Sequence, residues 1–217
     1  MNNPSGVVGL VLAGGRSSRF NAGRADGIAK ALVPLGGEPL VSHVVRRLGP
    51  QVSRLLINVN EDGERYRRFG EVVADSLPKG YPRYPGPLAG LVSGMAWLVD
   101  KGIQFEWVAL APCDGPFLPT ELVGRLRHAA EAAGAEVACP AYLGEVQPTF
   151  SLWHRRCLDV LRTELLTLGF GGFKALIDRL PSARVDWPGE GFDPFFNINT
   201  PDDLARAEGL LAGGLRA

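Results

Sequence analysis

Short apolar runs, separated by loops rich in glycine and proline, dominate the hydrophobic pattern of the chain. Residues 6–12, 55–59 and 107–111 are almost entirely apolar. A strand that is buried on both faces has this pattern, and we predict a strand at each of the three. Weaker or shorter strand candidates lie at 72–74, 137–139, 149–153 and 184–187.

Between these runs, apolar residues recur with helical spacing. The predicted helices cover 39–48, 88–99, 119–133 and 201–211. Thr200 is placed to cap the last of them, with acidic residues in the first turn. Alternation of strands and helices predicts an α/β fold in which a mostly parallel sheet is covered by helices on both faces. The weaker strands of the second half leave antiparallel or mixed pairing open there.

Length and charge narrow the class of protein. The chain has 217 residues, with 23 Lys+Arg against 23 Asp+Glu, and its formal net charge is zero. That length suits a single domain over residues 1–217, and no linker or repeat indicates a boundary. Zero net charge argues against a general nucleic-acid or membrane-surface binder, which needs a basic surface. Without a long apolar run or the features of a signal peptide, we expect a soluble, cytoplasmic protein.

The cysteines and histidines do not indicate a metal or disulfide framework. Cys113, Cys139 and Cys157 form no CxxC pair, and the three histidines are not clustered. We interpret Cys113 as a packing residue, because no histidine lies near it in sequence to activate it. No other side chain is an obvious covalent nucleophile.

The loop after the first predicted strand combines glycine with positive charge. Gly14 and Gly15 allow backbone N–H groups to approach a phosphate, and Arg19 and Lys30 can contact its oxygens. Among the first 50 residues six are basic and two are acidic, a local balance of +4. The loop matches neither GxxxxGK[ST] nor GxGxxG. We therefore predict a phosphate site of another type, with an ordinary surface loop as the alternative.

Two acidic residues also follow predicted strands, where open α/β sheets collect ligands. Asp114 comes directly after the strand at 107–111, and a carboxylate there can hold Mg²⁺; a plain turn residue is the alternative. Asp75 ends the short strand at 72–74. The turn at 85–90 either forms part of a ligand wall or simply begins a helix. These residues, with the first loop, predict a nucleoside triphosphate bound with Mg²⁺ and direct transfer to an acceptor.

Near the end of the chain, Asn197 and Asn199 alternate along an extended segment. Residues two apart in such a segment face the same way, so both side chains can point to one ligand. The alternative is that one of them caps the last helix.

Taken in order, these motifs resemble the signature of nucleotidyltransferases with a Rossmann-like sheet, the fold of nucleotide-diphospho-sugar transferases. Over nearly the whole chain, the similarity is greatest to the molybdenum cofactor guanylyltransferase family. The motifs that carry the resemblance lie at 12–20, 30–40, 75–77, 86–90, 112–119 and 197–201.

The resemblance implies an enzyme that transfers GMP from GTP to molybdenum-bound molybdopterin and releases pyrophosphate, with Mg²⁺ as cofactor. It implies catalytic roles for Arg19, Lys30 and Asp114, the last as metal ligand. The acceptor side would include Pro148, Asn197 and Asn199. The nucleotide would be bound by Leu12, Ala13, Gly14, Gly15, Lys30, Asn58, Asp75 and Asp114. It also implies partners among molybdenum-insertion proteins and molybdoenzyme chaperones, and neither nucleic acid nor membrane.

The chain departs from the family pattern at three places. Arg19 and Lys30 are eleven residues apart, where the family usually has about five, and residues 21–27 form an insertion that contains Asp26. Gln147 stands where a histidine is frequent. The basic residues expected near 169–174 are reduced to Lys174.

Two other functions remain open at this stage. One is the same chemistry with other substrates, either CMP transfer to molybdopterin or nucleotidyl transfer to a sugar phosphate. The other is a non-catalytic module that binds a nucleotide or cofactor for a partner, an alternative raised by the lengthened loop between Arg19 and Lys30.

Overall fold

The computed structural model describes residues 6–14, 28–78, 86–168, 172–189 and 191–215. Strands and helices alternate along these ranges, as the hydrophobic pattern predicts. The strands are β1 (Val7–Leu12), β2 (Pro34–Leu35), β3 (Glu38–Pro39), β4 (Arg54–Asn58), β5 (Glu71–Val73), β6 (Trp107–Pro112), β7 (Val137–Tyr142), β8 (Glu145–Val146), β9 (Leu152–His154) and β10 (Ser182–Trp187). The helices are α1 (Leu40–Leu48), α2 (Pro87–Asp100), α3 (Leu122–Ala133), α4 (Leu158–Leu168), α5 (Lys174–Ile177) and α6 (Pro201–Ala212).

Eight of the strands in the described ranges form one sheet, in the order β10-β7-β9-β6-β1-β4-β5, with β8 paired to β7. β1 is parallel to both β4 and β6, β4 is parallel to β5, and β7 is parallel to β10. β9 lies between β6 and β7 and is antiparallel to both. The mostly parallel sheet is therefore confirmed, and so is the mixed pairing expected in the second half.

Two apolar layers, one on each face of the sheet, form most of the core, and a third, smaller cluster joins β2 to α1 and α6. Side chains alternate between the faces along a strand, so Val7 and Val11 of β1 belong to one layer, and Val8 and Leu10 to the other. The first layer contains buried residues of α1 and α3, and the second contains those of α2 and α4. Helices thus cover both faces, as predicted.

The helices follow from the spacing of their apolar residues and from their end signals. α4 was not among the predicted helices, although Leu158, Leu161 and Leu165 are buried at helical spacing. The capping prediction for α6 is confirmed: Thr200 Oγ1 accepts a hydrogen bond from the Asp203 N–H at 3.2 Å, and the Asp203 carboxylate accepts one from the Thr200 N–H at 2.9 Å. Among the described residues no helix has the length and apolar character that crossing a membrane requires.

Candidate active site

The carboxyl ends of the central parallel strands meet at one edge of the sheet. Leu12, the last residue of β1, is in register with Asn58 at the end of β4 and with Pro112 at the end of β6. Because these strands run in the same direction, the loops that follow them lie side by side. Leu12, Asn58 and Asp114, which are among the residues predicted to bind a nucleotide, are therefore brought to a common edge.

The start of the glycine loop is tied to both neighbouring strands. The Ala13 N–H donates to the Asn58 carbonyl at 2.8 Å, and the Cys113 N–H donates to the Leu12 carbonyl at 3.0 Å. Gly14, which follows these two hydrogen bonds along the chain, is exposed. Gly15 and Arg19, as well as the insertion at 21–27 with Asp26, lie outside the described residues.

Lys30, Asp114 and Asn199 meet in space although they come from distant parts of the chain. The Lys30 ammonium forms an ion pair with the Asp114 carboxylate and donates a hydrogen bond to Asn199 Oδ1 at 2.8 Å. The Lys30 and Asp114 side chains are only 14% and 16% exposed, so solvent screens their attraction less than at the surface. The sequence predicted these three residues for one site, and the structure brings them together.

Oxygen atoms of Asp114 and Asn199 converge on the same ammonium group, and they are therefore close to each other. Carboxylate and amide oxygens are the hard donors that Mg²⁺ prefers, and this ion is commonly held by one or two carboxylates together with substrate phosphates and water. Among the described residues, no group of three or more His, Cys, Asp or Glu side chains is arranged to hold a metal. The donors fit a magnesium ion that arrives with a polyphosphate better than a permanently bound one.

A second set of contacts supports the loop that carries Asp114. The Ile198 N–H donates to the Asp114 carbonyl at 2.9 Å, which joins this loop to the segment before α6. A Cβ atom on Gly115 would lie 2.4 Å from Phe150 Cζ and 3.4 Å from Asn197 Oδ1, so only glycine permits this packing. The short turn Pro148–Phe150 and Asn197, both predicted on the acceptor side, therefore border the Asp114 loop.

Asn197 Oδ1 has an unusual environment. The atom is buried, and no donor within the described part of the chain reaches it. A buried carbonyl oxygen without a partner is unfavourable, and it commonly marks a place where water or a ligand completes the hydrogen bonding. Asn199, in contrast, binds Lys30 through its side chain, and the cap of α6 is Thr200. Neither asparagine thus serves as the cap of that helix.

Asn58, Asn60 and Asp75 form a polar cluster at the ends of β4 and β5. Asn58 is buried, with 3% exposure, and its side-chain amide donates to the Val73 carbonyl at 3.2 Å and to Asp75 Oδ1 at 2.9 Å. Asn60 donates to Asp75 Oδ2 at 2.8 Å and accepts from the Asp75 N–H at 2.7 Å. The orientation of the Asp75 carboxylate is therefore fixed by two amides.

Cys113 lies beside Asp114 but contributes packing. Its side chain is buried in the apolar layer of α1 and α3. Burial, followed by the neighbouring charge of Asp114, raises the pKa of the Cys113 thiol well above its usual range. A protonated, buried thiol is a poor nucleophile, which agrees with the interpretation drawn from the sequence.

Of the basic N-terminal residues that the structure describes, only some lie at the site. Arg46 forms an ion pair with Glu38 at the surface. Arg47 donates from Nε to the Leu118 carbonyl, and burial lowers the pKa of its guanidinium. Lys30 is the described basic residue of the first 50 that contacts Asp114.

Comparison with known proteins identifies the family of this chain. The model of the MobA-like NTP transferase domain matches residues 9–184, which include the start of the glycine loop, Lys30 and Asp114. The chain belongs to this family. The resemblance found in the sequence is thereby confirmed, and with it the nucleotidyltransferase fold.

Curated relatives within the family are similar over almost their full length. A molybdenum cofactor guanylyltransferase from Rhodopseudomonas palustris is 40% identical, over 92% of this chain and 91% of its own. One from Mesorhizobium japonicum is 38% identical, over 94% of this chain and 96% of its own. Another, from Cupriavidus taiwanensis, is 41% identical, over 93% of this chain and 96% of its own.

Solved structures show the same architecture. Molybdopterin-guanine dinucleotide biosynthesis protein A from Archaeoglobus fulgidus superposes with a TM-score of 0.68 and 27% identity, covering 95% of this chain and 99% of its own. The 4-diphosphocytidyl-2C-methyl-D-erythritol synthase from Anaerococcus prevotii also gives a TM-score of 0.68, covering 97% of this chain and 100% of its own. At 13% identity, this second likeness concerns the fold alone.

In the site of this MobA-like domain, Asn60 and the close contacts of Gly90 were not predicted from the sequence. Asn60 alternates with Asn58 in the same way as Asn199 with Asn197, and that pattern was available in the sequence. Gly90 lies in both the predicted turn at 85–90 and the predicted helix at 88–99, but its contacts were not predicted: a Cβ atom there would lie 2.5 Å from Asn58 Oδ1 and 2.6 Å from Leu12 Cδ2. Such a close approach depends on tertiary packing and has no local sequence signal.

Proposed function

We propose that this protein transfers GMP from GTP to the terminal phosphate of molybdenum-bound molybdopterin, forming the guanine dinucleotide cofactor and pyrophosphate. The observation that carries the proposal is the convergence of Lys30, Asp114 and Asn199 at the carboxyl edge of the sheet. Membership of a nucleotidyltransferase family and the guanylyltransferase activity for which the relatives are named supply the reaction class and the substrates.

The phosphates of GTP would be bound by the first loop and by Lys30. Gly14 and Gly15 allow backbone N–H groups to approach them closely, and Arg19 adds a second cation, while backbone groups of Leu12, Ala13 and Gly14 would contact the nucleotide. Lys30 is the group best suited to exchange partners, since its ammonium already neutralises Asp114 and a polyphosphate offers competing oxygens. The site thus stays electrically balanced before the substrate binds.

Asp114, with Asn199 beside it, would hold the magnesium ion that accompanies GTP. When bound, this ion supplies charge neutralisation on the phosphates and polarises the phosphoryl group that is attacked. The support for this assignment is the chemistry of the two oxygen donors and their convergence on one cation in the structure.

The nucleoside would contact the Asn58–Asp75 cluster. Two amides fix the Asp75 carboxylate, so it can accept hydrogen bonds from the nucleoside without losing freedom of its own. A preoriented acceptor costs less entropy on binding than a mobile side chain.

The chemical step would be a direct displacement. A phosphate oxygen of the acceptor attacks the α-phosphorus of GTP, the bond from that phosphorus to the bridging oxygen breaks, and pyrophosphate leaves with the electron pair. Lys30 and Arg19 would stabilise the charge that develops on the oxygens. The acceptor substrate would approach over Pro148, Asn197 and Asn199, where the unpartnered Asn197 Oδ1 can accept a hydrogen bond.

We infer that molybdenum-insertion proteins deliver the acceptor substrate and that molybdoenzyme chaperones receive the product.

Pyrophosphate release separates the candidate activities. The protein is incubated with Mg²⁺, molybdenum-loaded molybdopterin and each of the four ribonucleoside triphosphates in turn, with acceptor-free reactions as controls. Release with GTP alone is expected. Release with CTP alone would assign CMP transfer instead. Absence of release with every nucleotide, after acceptor loading has been verified, would overturn the proposal.

A further inference from the structure

An exposed leucine stands at the turn between β7 and β8 in a backbone conformation that leucine rarely adopts. Leu143 has φ of 47° and is followed by Gly144 with φ of 88°. A two-residue hairpin turn with both φ values positive normally contains Asn, Asp or Gly at its first position, because a Cβ atom is crowded there. Leu143 is also 73% exposed, so burial in the core does not compensate for this strain.

The turn lies at the same edge of the sheet as Asp114. β9 is antiparallel to both β6 and β7, so β6 and β7 run in the same direction and end at the same edge. β9 lies between them, and neighbouring strands are about 4.8 Å apart, which places β7 roughly 10 Å from the strand that leads to Asp114. The turn is therefore within reach of a substrate whose reacting phosphate is at Asp114.

Contacts connect the turn to the loop that leads to Asn197 and Asn199. The Leu143 side chain covers the Gly189 backbone, since a Cβ atom on Gly189 would lie 2.4 Å from Leu143 Cδ2. The Tyr142 hydroxyl donates to the Gly191 carbonyl at 3.4 Å. Leu143 thus projects at the junction of two loops that border the acceptor side.

The sheet order separates the two substrates. Asn58 and Asp75 follow β4 and β5, on one side of β6, whereas β7 and β10 lie on the other side. With the nucleoside over the first half and the reacting phosphate near Asp114, the second substrate must extend over the loops after β7 and β10.

We propose that Leu143 determines acceptor specificity: its side chain packs against the fused-ring heterocycle of molybdopterin while the acceptor phosphate lies at Asp114. This inference rests on the function proposed above. An apolar side chain held at an exposed position contributes favourable free energy when a ring system covers it and removes its surface from water, and strained backbone is characteristic of such ligand contacts. A purely structural turn would gain from glycine at this position, because glycine adopts positive φ without strain.

Three substitutions of Leu143 test the inference by direct binding. Leu143→Gly and Leu143→Asn suit the positive φ but remove the apolar surface, whereas Leu143→Met retains it. The dissociation constant of molybdenum-loaded molybdopterin is measured by fluorescence titration without GTP, and the KM for GTP is measured separately. Val99→Ala, which alters an exposed apolar side chain near the end of α2, is the matched control.

Acceptor binding is expected to weaken about tenfold in Leu143→Gly and Leu143→Asn, and to stay within about twofold in Leu143→Met and Val99→Ala. The KM for GTP stays unchanged, and the Tm of Leu143→Gly rises by about 2–4 °C as the strain is removed. Unaltered acceptor binding in Leu143→Gly and Leu143→Asn would overturn the inference, and so would a wild-type protein that does not bind molybdopterin. A wild type that binds molybdopterin but releases no pyrophosphate would overturn the transfer reaction alone, since the binding data still test Leu143.

Discussion

At the scale of single residues, the ion pair between Lys30 and Asp114 would let a chain with zero net charge bind the polyphosphate that we propose as its substrate. Each group neutralises the other in a mostly buried place, so neither is left uncompensated before substrate binds. A polyphosphate with its cation can then exchange partners with both. The proposed substrate therefore follows from the local arrangement of charge and not from the overall balance.

Replacing Asp114 tests this arrangement. We expect Asp114→Ala to lower turnover by at least about 10²–10³-fold, because it removes a carboxylate at the reacting phosphates. The fold should persist, since the Ile198 N–H binds the Asp114 backbone carbonyl, which the substitution keeps. Steady-state kinetics and circular dichroism measure the two effects. Asp186→Ala on β10, where the side chain is 71% exposed, is the control and should retain activity. Loss of the fold in Asp114→Ala would mean that this carboxylate is structural.

Asp203 gives α6 a dependence on pH. Partial burial by itself would raise the pKa of Asp203, but hydrogen bonds from the Asn199 and Thr200 N–H groups and the Thr200 side chain, with the nearby Lys30 charge, lower it below the usual value. A carboxyl group whose pKa is lowered in the folded state stabilises the fold at pH values above its unfolded-state pKa of about 4. This stabilisation is lost as the pH falls through the lower pKa of the folded state.

We therefore expect the free energy of unfolding of the wild type to decrease more steeply below about pH 4 than that of Asp203→Asn. Urea denaturation at a series of pH values measures both slopes. Parallel slopes would contradict the assignment of Asp203 as a titrating cap.

At the scale of elements, the close approach of α2 to β1 and β4 depends on Gly90. An alanine there would bring Cβ to within 2.5 Å of Asn58 Oδ1. We expect Gly90→Ala to destabilise the protein by about 1–3 kcal/mol through overpacking, and to disturb the nucleoside side of the site. Thermal denaturation and the KM for GTP are the measurements.

Gly209 in α6 is the matched control for Gly90. A Cβ atom added at Gly209 would meet nothing within 4 Å. We expect Gly209→Ala to stabilise the protein by about 0.5–1 kcal/mol, since alanine favours the helix. Equal effects of the two substitutions would exclude the packing argument.

Local patterns predicted most elements and the mostly parallel sheet between helices, but not the order of the strands. The apolar run at 107–111 and the spacing of α1 and α3 indicated strand and helices directly. The insertion of β9 between β6 and β7 could not be predicted, because strand order depends on contacts between distant segments. The same holds within the site: Lys30, Asp114 and Asn199 were each identified, yet their direct contact belongs to the tertiary structure. α4 differs, because Leu158, Leu161 and Leu165 carry a readable helical pattern.

At the scale of the whole molecule, we propose that residues 1–217 form one domain. The sheet takes strands from both halves of the chain, with β10 beside β7 and β1 in the interior. Unfolding in urea should then be a single transition. Tryptophan fluorescence reports on both halves through Trp97, Trp107, Trp153 and Trp187, and its curve should coincide with that from far-UV circular dichroism. Two separate transitions would exclude the single domain.

The residues of the site are far apart in the sequence, and this separation determines when the site can form during synthesis of the chain. Lys30 and Asp114 leave the ribosome well before Asn199 and Ile198, which bind Lys30 and the Asp114 carbonyl. Contacts between such distant residues form only after the intervening chain has been made. A nascent chain can therefore form the contacts that join Lys30, Asp114 and Asn199 only after residue 199 has emerged.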